Sequence, residues 1–169
     1  MPPTNNRSSV LIDKLGLQPH PEGGWFREIY RSADKLGPDH LPGRFSGEHS
    51  FSTSIYYLLE NYDFSAFHRI KSDEIWHFYL GSPVKLYILK DGKLELILLG
   101  DNPEAGHVFQ AVVPFGCWFA AEVSVPGSFA LLGCTVSPGF EFSDFELAAE
   151  SDLQEYYRYK TLINRMVRR

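Results

Sequence analysis

The sequence predicts an all-β domain folded as an antiparallel sandwich or barrel, with a short helix at each end. Three observations carry this. Ten short apolar or alternating runs succeed one another with turn residues between them and no helical stretch among them. The break Lys90-Asp91-Gly92-Lys93 separates Val84–Leu89 from Leu94–Leu99, and Asp-Gly supplies the positive φ that a two-residue hairpin turn needs. The 169 residues include 13 Phe, 9 Tyr and 3 Trp, and broad rings favour pleated, half-buried surfaces.

Residues 1–8 are polar and proline-bearing and are expected to be disordered. Residues 9–169 are expected to form one domain, since a chain of this size buries enough surface for a single core. Ser8 or Ser9 caps a first helix, Leu11, Ile12 and Leu15 give its apolar stripe, and Gly16 ends it. Pro19-His20-Pro21-Glu22-Gly23-Gly24 is a loop that helical geometry does not cross. Strands are expected near residues 24–31, 50–59, 64–70, 75–80, 84–90, 94–100, 107–113, 117–124, 128–136 and 140–147. Residues 33–48 form the longest loop, and Arg44 and Glu48 within it are candidates for closing a pocket mouth. From Ser151, Leu153, Tyr156, Tyr157, Ile163 and Met166 recur at helical spacing, which places a terminal helix on the outside of the barrel or against a partner.

The formal charge is −5, so the basic face of a nucleic-acid binder is absent and no nucleic-acid partner is expected. No apolar run approaches the roughly 20 residues that span a bilayer. No membrane partner is expected, and the N-terminus shows no secretory h-region, so a cytoplasmic location is the default. Cys117 and Cys134 read as buried thiols in neighbouring strands rather than as a disulfide.

The chemistry concentrates in Phe67-His68-Arg69-Ile70-Lys71-Ser72-Asp73-Glu74-Ile75-Trp76-His77-Phe78-Tyr79-Leu80-Gly81. It reads as a strand, a polar turn and a second strand. In such a hairpin His68 shares a face with Ile70, and Glu74 shares one with Trp76 and Phe78. A histidine and a carboxylate meeting among rings can move protons or hold a metal. His77 has the wrong parity to join Glu74 unless a bulge shifts it.

At this point the chain resembles the cupin family. His68, Glu74 and Gly81 match its first motif, with Ile70 where a second histidine stands, and Pro114-Phe115-Gly116 matches the turn of its second motif. Phe119 and Val123 take the remaining polar positions of that motif. The resemblance is sharper to the Cupin_5 or DUF985 branch. It is carried by Pro21–Glu28, Ser54–Leu59, Lys71–Gly81 and Gly133–Phe140. This resemblance implies a double-stranded β-helix, the cupin jelly roll, and a homodimer. It does not fix a reaction, because fold alone does not.

The resulting expectation is a barrel that binds a small anionic or sugar-like molecule, with metal-independent epimerase or isomerase chemistry as one reading and binding without catalysis as the other. His68 would be the base, Glu74 its orienting partner, and Tyr56 would return a proton. Arg27 would clamp an anionic handle with two hydrogen bonds. Ser54, Trp76, His77, Phe78 and Trp118 would line the ligand. A non-catalytic binding module needs the same pocket. A metal-dependent enzyme would have to use His68, Glu74 and His77. With Ile70 and Phe119 unable to ligate, no cofactor is expected and any divalent metal should bind weakly.

Overall fold

The protein is described by a computed structural model covering residues 4–60 and 62–168. Its elements in chain order are α1 (Thr4–Leu15), β1 (Gln18–Pro19), β2 (Trp25–Arg31), β3 (Lys35–Leu36), β4 (His49–Ser50), β5 (Thr53–Glu60) and β6 (Phe64–Arg69). There follow β7 (Asp73–Gly81), β8 (Val84–Lys90), β9 (Lys93–Leu99), β10 (Gln110–Val113), β11 (Trp118–Val123), β12 (Phe129–Ser137), β13 (Glu146–Leu147) and α2 (Lys160–Met166). Among the described residues the strands form a six-stranded sheet, β1-β2-β5-β12-β7-β10, and a five-stranded sheet, β13-β6-β11-β8-β9. The named strands pair antiparallel throughout. The two sheets face each other as the halves of a jelly roll.

The predicted hairpin at 90–93 is present, with Asp91 and Gly92 at φ 49° and 70° between β8 and β9. Between the sheets, Tyr57, Leu59, Trp76, Phe78 and Leu132 from the larger meet Val84, Leu86, Ile88, Phe119 and Ala121 from the smaller. Both sheets are also covered outside. Leu11, Ile12, Leu15 and Leu17 pack on Leu58, Phe129 and Leu131 of the larger sheet. Leu153, Tyr156, Ile163 and Met166 cover Phe67, Leu89, Trp118 and Ala120 of the smaller.

Several expectations need correction. Residues 4–8 belong to α1 rather than to a disordered tail, and Ser8 is buried inside the helix instead of capping it; residues 1–3 lie outside the described residues. The C-terminal segment is not one regular helix. Glu150–Tyr159 forms 3-10 turns, with Leu153 and Tyr156 at non-helical angles, before α2 begins. That kink lets both residues reach the smaller sheet. Residues 140–147 are not a strand. They form a strap with a 3-10 turn at Phe142–Asp144 and only the two-residue β13 at its end. Cys117 and Cys134 are free and buried, as expected, but they are not in neighbouring strands: Cys134 is on β12 of the larger sheet and Cys117 lies just before β11 of the smaller. No described helix is long and apolar enough to cross a membrane.

Candidate functional site

His68 and Glu74 meet by a different route from the predicted hairpin. β6 belongs to the smaller sheet and β7 to the larger. The turn at residues 70–72 therefore carries the chain across the barrel instead of pairing its flanks. His68 stands opposite Phe119 on β11, and Glu74 stands opposite Val136 on β12. Both point inward and both are buried. They line one cavity of about 90 Å³ with His20, Glu22, Phe26, Tyr57 and Phe145 among its other walls.

The partner that matters most to His68 comes from the Pro21-Glu22-Gly23-Gly24 loop. His68 Nε2 lies 3.0 Å from Glu22 Oε2, and its Nδ1 lies 2.7 Å from the carbonyl oxygen of Ala66. Both ring nitrogens face acceptors, so both carry protons and the ring is an imidazolium. Ser65 Oγ donates to Glu22 Oε1 at 2.9 Å. The loop is fixed to the barrel from several sides. The Ala66 amide donates to the Glu22 carbonyl at 2.9 Å, Tyr57 Oη donates to the Gly23 carbonyl at 2.7 Å, and the Gly24 amide donates to Asp63 Oδ2 at 2.7 Å. Gly23 has φ 117°, and a Cβ there would lie 2.1 Å from the Phe64 carbonyl oxygen, so only glycine permits this close approach.

The electrostatics separate the two carboxyls. Burial alone pushes Glu22 up, but the charges of His68 and His20 and the hydrogen bonds from His68 and Ser65 outweigh it and hold the group at about 2. Burial works against charge on His68, yet the Glu22 carboxylate raises it above its ordinary value. Burial dominates at Glu74 and lifts it to about 7. The Glu22 charge adds to that rise, while the His68 charge, the Cys134 thiol and the Trp76 indole pull the other way. Burial lowers His20, which accepts the Glu22 backbone N–H at Nδ1. The cavity thus holds the Glu22–His68 ion pair beside a carboxyl lifted to about 7.

The remaining predicted site residues divide by strand parity. The bulge between Glu28 and Tyr30 switches the faces of β2. Phe26, Glu28 and Arg31 consequently point to the cavity. Arg27 lies outside and donates Nη1 to the Leu15 carbonyl at 2.9 Å, where it satisfies the end of α1. It is no anion clamp. On β5 the odd residues Thr53, Ile55 and Tyr57 line the cavity, so Ser54 and Tyr56 are on the outer face. Tyr56 packs edge-on against Tyr79 there. His77 is also outside, 3.0 Å from Thr135 Oγ1, because β7 keeps its parity from Glu74 to Phe78 and its one register shift, at Tyr79, comes after His77. Trp118 is buried beneath the C-terminal segment, with the Arg69 guanidinium 4.3 Å from its ring. Trp76 and Phe78 do face inward but serve as core between the sheets. Arg44 holds the Lys71 carbonyl and Glu48 pairs with Lys35, both away from the cavity.

Sequence reasoning missed Glu22, His20, Tyr57, Arg31 and the strap. The strap is tied down by Asp144, whose Oδ2 is 2.6 Å from His49 Nε2 and whose Oδ1 is 3.1 Å from Lys71 Nζ. It lays Phe140, Phe142 and Phe145 along the cavity wall.

The comparisons agree with this architecture. Residues 9–148 match the family model Cupin_5: Cupin superfamily (DUF985). The solved structure of protein SO0799 from Shewanella oneidensis is 36% identical, with a TM-score of 0.85 over 95% of this chain and 97% of that one. A hypothetical protein from Leishmania major is 30% identical, with a TM-score of 0.85 over 96% of this chain and 99% of its own. The uncharacterized protein YML079W of Saccharomyces cerevisiae is 29% identical over 91% of this chain and 82% of its own length.

Proposed function

The chain belongs to the Cupin_5 family of the cupin superfamily, and from that premise we propose that its barrel binds a small carbonyl-bearing molecule and moves a proton on it through Glu74. The observation that carries this reading is a fully buried carboxyl at about 7, beside the Glu22–His68 pair, in an enclosed cavity. Proton transfer is fastest when the group's pKa lies near the working pH. Glu74 meets that condition. Both His68 nitrogens are engaged, so taking another proton is closed to it. The roles expected from sequence are therefore exchanged. Glu74 takes the proton from a C–H next to the carbonyl and returns it to carbon or oxygen. The His68 charge steadies the ionised carboxyl, and Glu22 keeps that charge in place. No oxidant or reductant enters the balance.

The cavity of about 90 Å³ favours a small sugar-like or keto compound over a whole nucleotide sugar. The donor set does not fit a transition metal. His68 has no free nitrogen, Ile70 lines the wall in place of a ligand, and His77 faces away. We therefore propose chemistry independent of metal. Incubation with small hydroxyketones and aminoketones in deuterated water should give solvent exchange at the carbon next to the carbonyl, followed by NMR. Exchange is expected with the wild type and absent with Glu74→Gln. Saturable binding without exchange in the wild type would favour a pure binding protein.

The outer face of the larger sheet exposes Tyr30, Tyr79 and Val112. Apolar surface of this kind supports the proposal of a homodimer built on that face. Sedimentation velocity at micromolar concentration should show a dimer; monomer alone would overturn it.

A further inference from the structure

Four carboxyl groups line the cavity and its mouth, Glu22, Glu28, Glu74 and Glu141. Two cations stand against them. His68 is spent on Glu22. Arg31 is largely engaged: its Nε and Nη2 donate to the two oxygens of Glu28 at 3.0 and 2.9 Å, Nη1 to Glu141 at 2.7 Å, and Nη2 also to the Phe140 carbonyl at 3.0 Å, which uses four of its five N–H groups. Two carboxylates on one guanidinium leave a surplus negative charge at the mouth. Glu74, which forms no ion pair among the described residues, adds a second when ionised. A bound anion would meet these carboxylates and a guanidinium whose charge two of them already offset.

The walls add to this preference. Phe26, Phe140, Phe142 and Phe145 are only partly covered by protein and all border the cavity. The three strap rings lie 5.0 to 6.3 Å apart, centroid to centroid. Aromatic faces carry negative potential and attract cations. We infer that the cavity takes a small organic cation, an amine or quaternary ammonium head seated between the strap phenylalanines and the Glu74 carboxylate. This rests on the reading that the cavity is the ligand site, and it names the charge of the ligand. It replaces the anionic ligand expected from Arg27.

The pH dependence follows from the groups that face Glu74. These are His68 on β6, Glu22 and His20 on the loop, Tyr57 on β5 and Cys134 on β12. Burial keeps Tyr57 and Cys134 protonated, Glu22 stays ionised, and burial holds His20 below its ordinary value, so any proton it loses acts in the same sense as loss of the Glu74 proton. Loss of the Glu74 proton therefore makes the cavity more negative as pH rises through about 7. Loss of the His68 charge at higher pH acts in the same sense.

Three probes of one shape test the inference: choline, its neutral isostere 3,3-dimethylbutan-1-ol, and 3,3-dimethylbutanoate. Affinities are read by calorimetry and by NMR shifts of cavity residues. Choline is expected to bind roughly tenfold tighter than the neutral isostere, with the carboxylate weakest. Its affinity should rise by several-fold between about pH 6 and 8, and Glu74→Gln should remove that rise. Phe142→Leu, at the exposed rim, should weaken choline more than the neutral probe. Equal or tighter binding of the neutral or anionic probe would overturn the inference, as would choline binding without pH dependence or no binding in the cavity. The Glu74 midpoint is read in the same NMR samples. A midpoint near 7 without cation preference sinks this inference and leaves the proton-transfer reading standing.

Discussion

Glu22→Gln is expected to destabilise the protein by about 3–5 kcal/mol near neutral pH, because removing one partner of a buried ion pair leaves the other charge uncompensated. For a chain of this size that lowers Tm by about 10 °C. An amide still accepts one hydrogen bond, but it does not neutralise an imidazolium at 3.0 Å. The variant should therefore relieve its strain by releasing the His68 proton, and the His68 titration should move down. The acid limb of stability should change as well. Glu22 is held at about 2 against an ordinary 4.5. A carboxyl lowered by folding contributes stability that is present above its ordinary pKa and is lost as pH falls toward the folded value. The wild type thus loses this contribution between about pH 4.5 and 2, and the variant has none to lose. Thermal denaturation followed by circular dichroism across that range checks both effects. An unchanged Tm with an unchanged acid limb would show that Glu22 and His68 do not meet.

Glu74→Gln has the opposite sign. Glu74 is raised from 4.5 to about 7, so its contribution is fully present below pH 4.5 and is lost as pH rises through about 7. Above that point the wild type carries a penalty of about 3 kcal/mol for the buried charge. The amide has no charge to bury. The variant should match the wild type at about pH 4 and exceed it by up to about 3 kcal/mol above pH 7. The same substitution should abolish proton exchange on the ligand. A gain in stability coupled to a loss of activity is the signature of a group held in an unfavourable state for its chemistry. Urea denaturation at several pH values, set beside the exchange assay, measures both halves. If the variant is less stable at every pH, Glu74 is a structural acceptor and not the proton-transfer group.

Much of the barrel was legible because the hairpin at Asp91-Gly92 and the alternating strands state their conformation locally. That His68 and Glu74 turn toward one interior was also legible, although the reason given for it, pairing across a hairpin, was not the true one. Which face of each strand turns inward was less legible. On β5 both faces are apolar: Tyr57 and Leu59 fill the interior, while Tyr56 and Leu58 lie under α1 or beside Tyr79. Alternation carries no information when both sides are covered. The same covering hid the outward placement of Trp118, which the C-terminal segment buries. On β2 the bulge after Glu28 put Arg31 and not Arg27 at the mouth, a shift no period-two reading contains. Glu22 and the strap escaped for a further reason. Their positions depend on long-range ties, from Ala66, Tyr57 and Asp63 to the loop and from His49 and Lys71 to Asp144. Nothing near them in the sequence announces those ties.

The proposed chemistry requires the Glu74 carboxyl, buried inside the roll, to exchange its proton with solvent at about pH 7. Carbon-detected NMR of the glutamate side-chain carboxyls, with Glu74 assigned by comparison with Glu74→Gln, reads it directly. One resonance should titrate with a midpoint of about 7 while Glu22 stays ionised to about 2. A Glu74 midpoint near the ordinary 4.5 would mean that water reaches the group freely, and the proposed chemistry would fall with it.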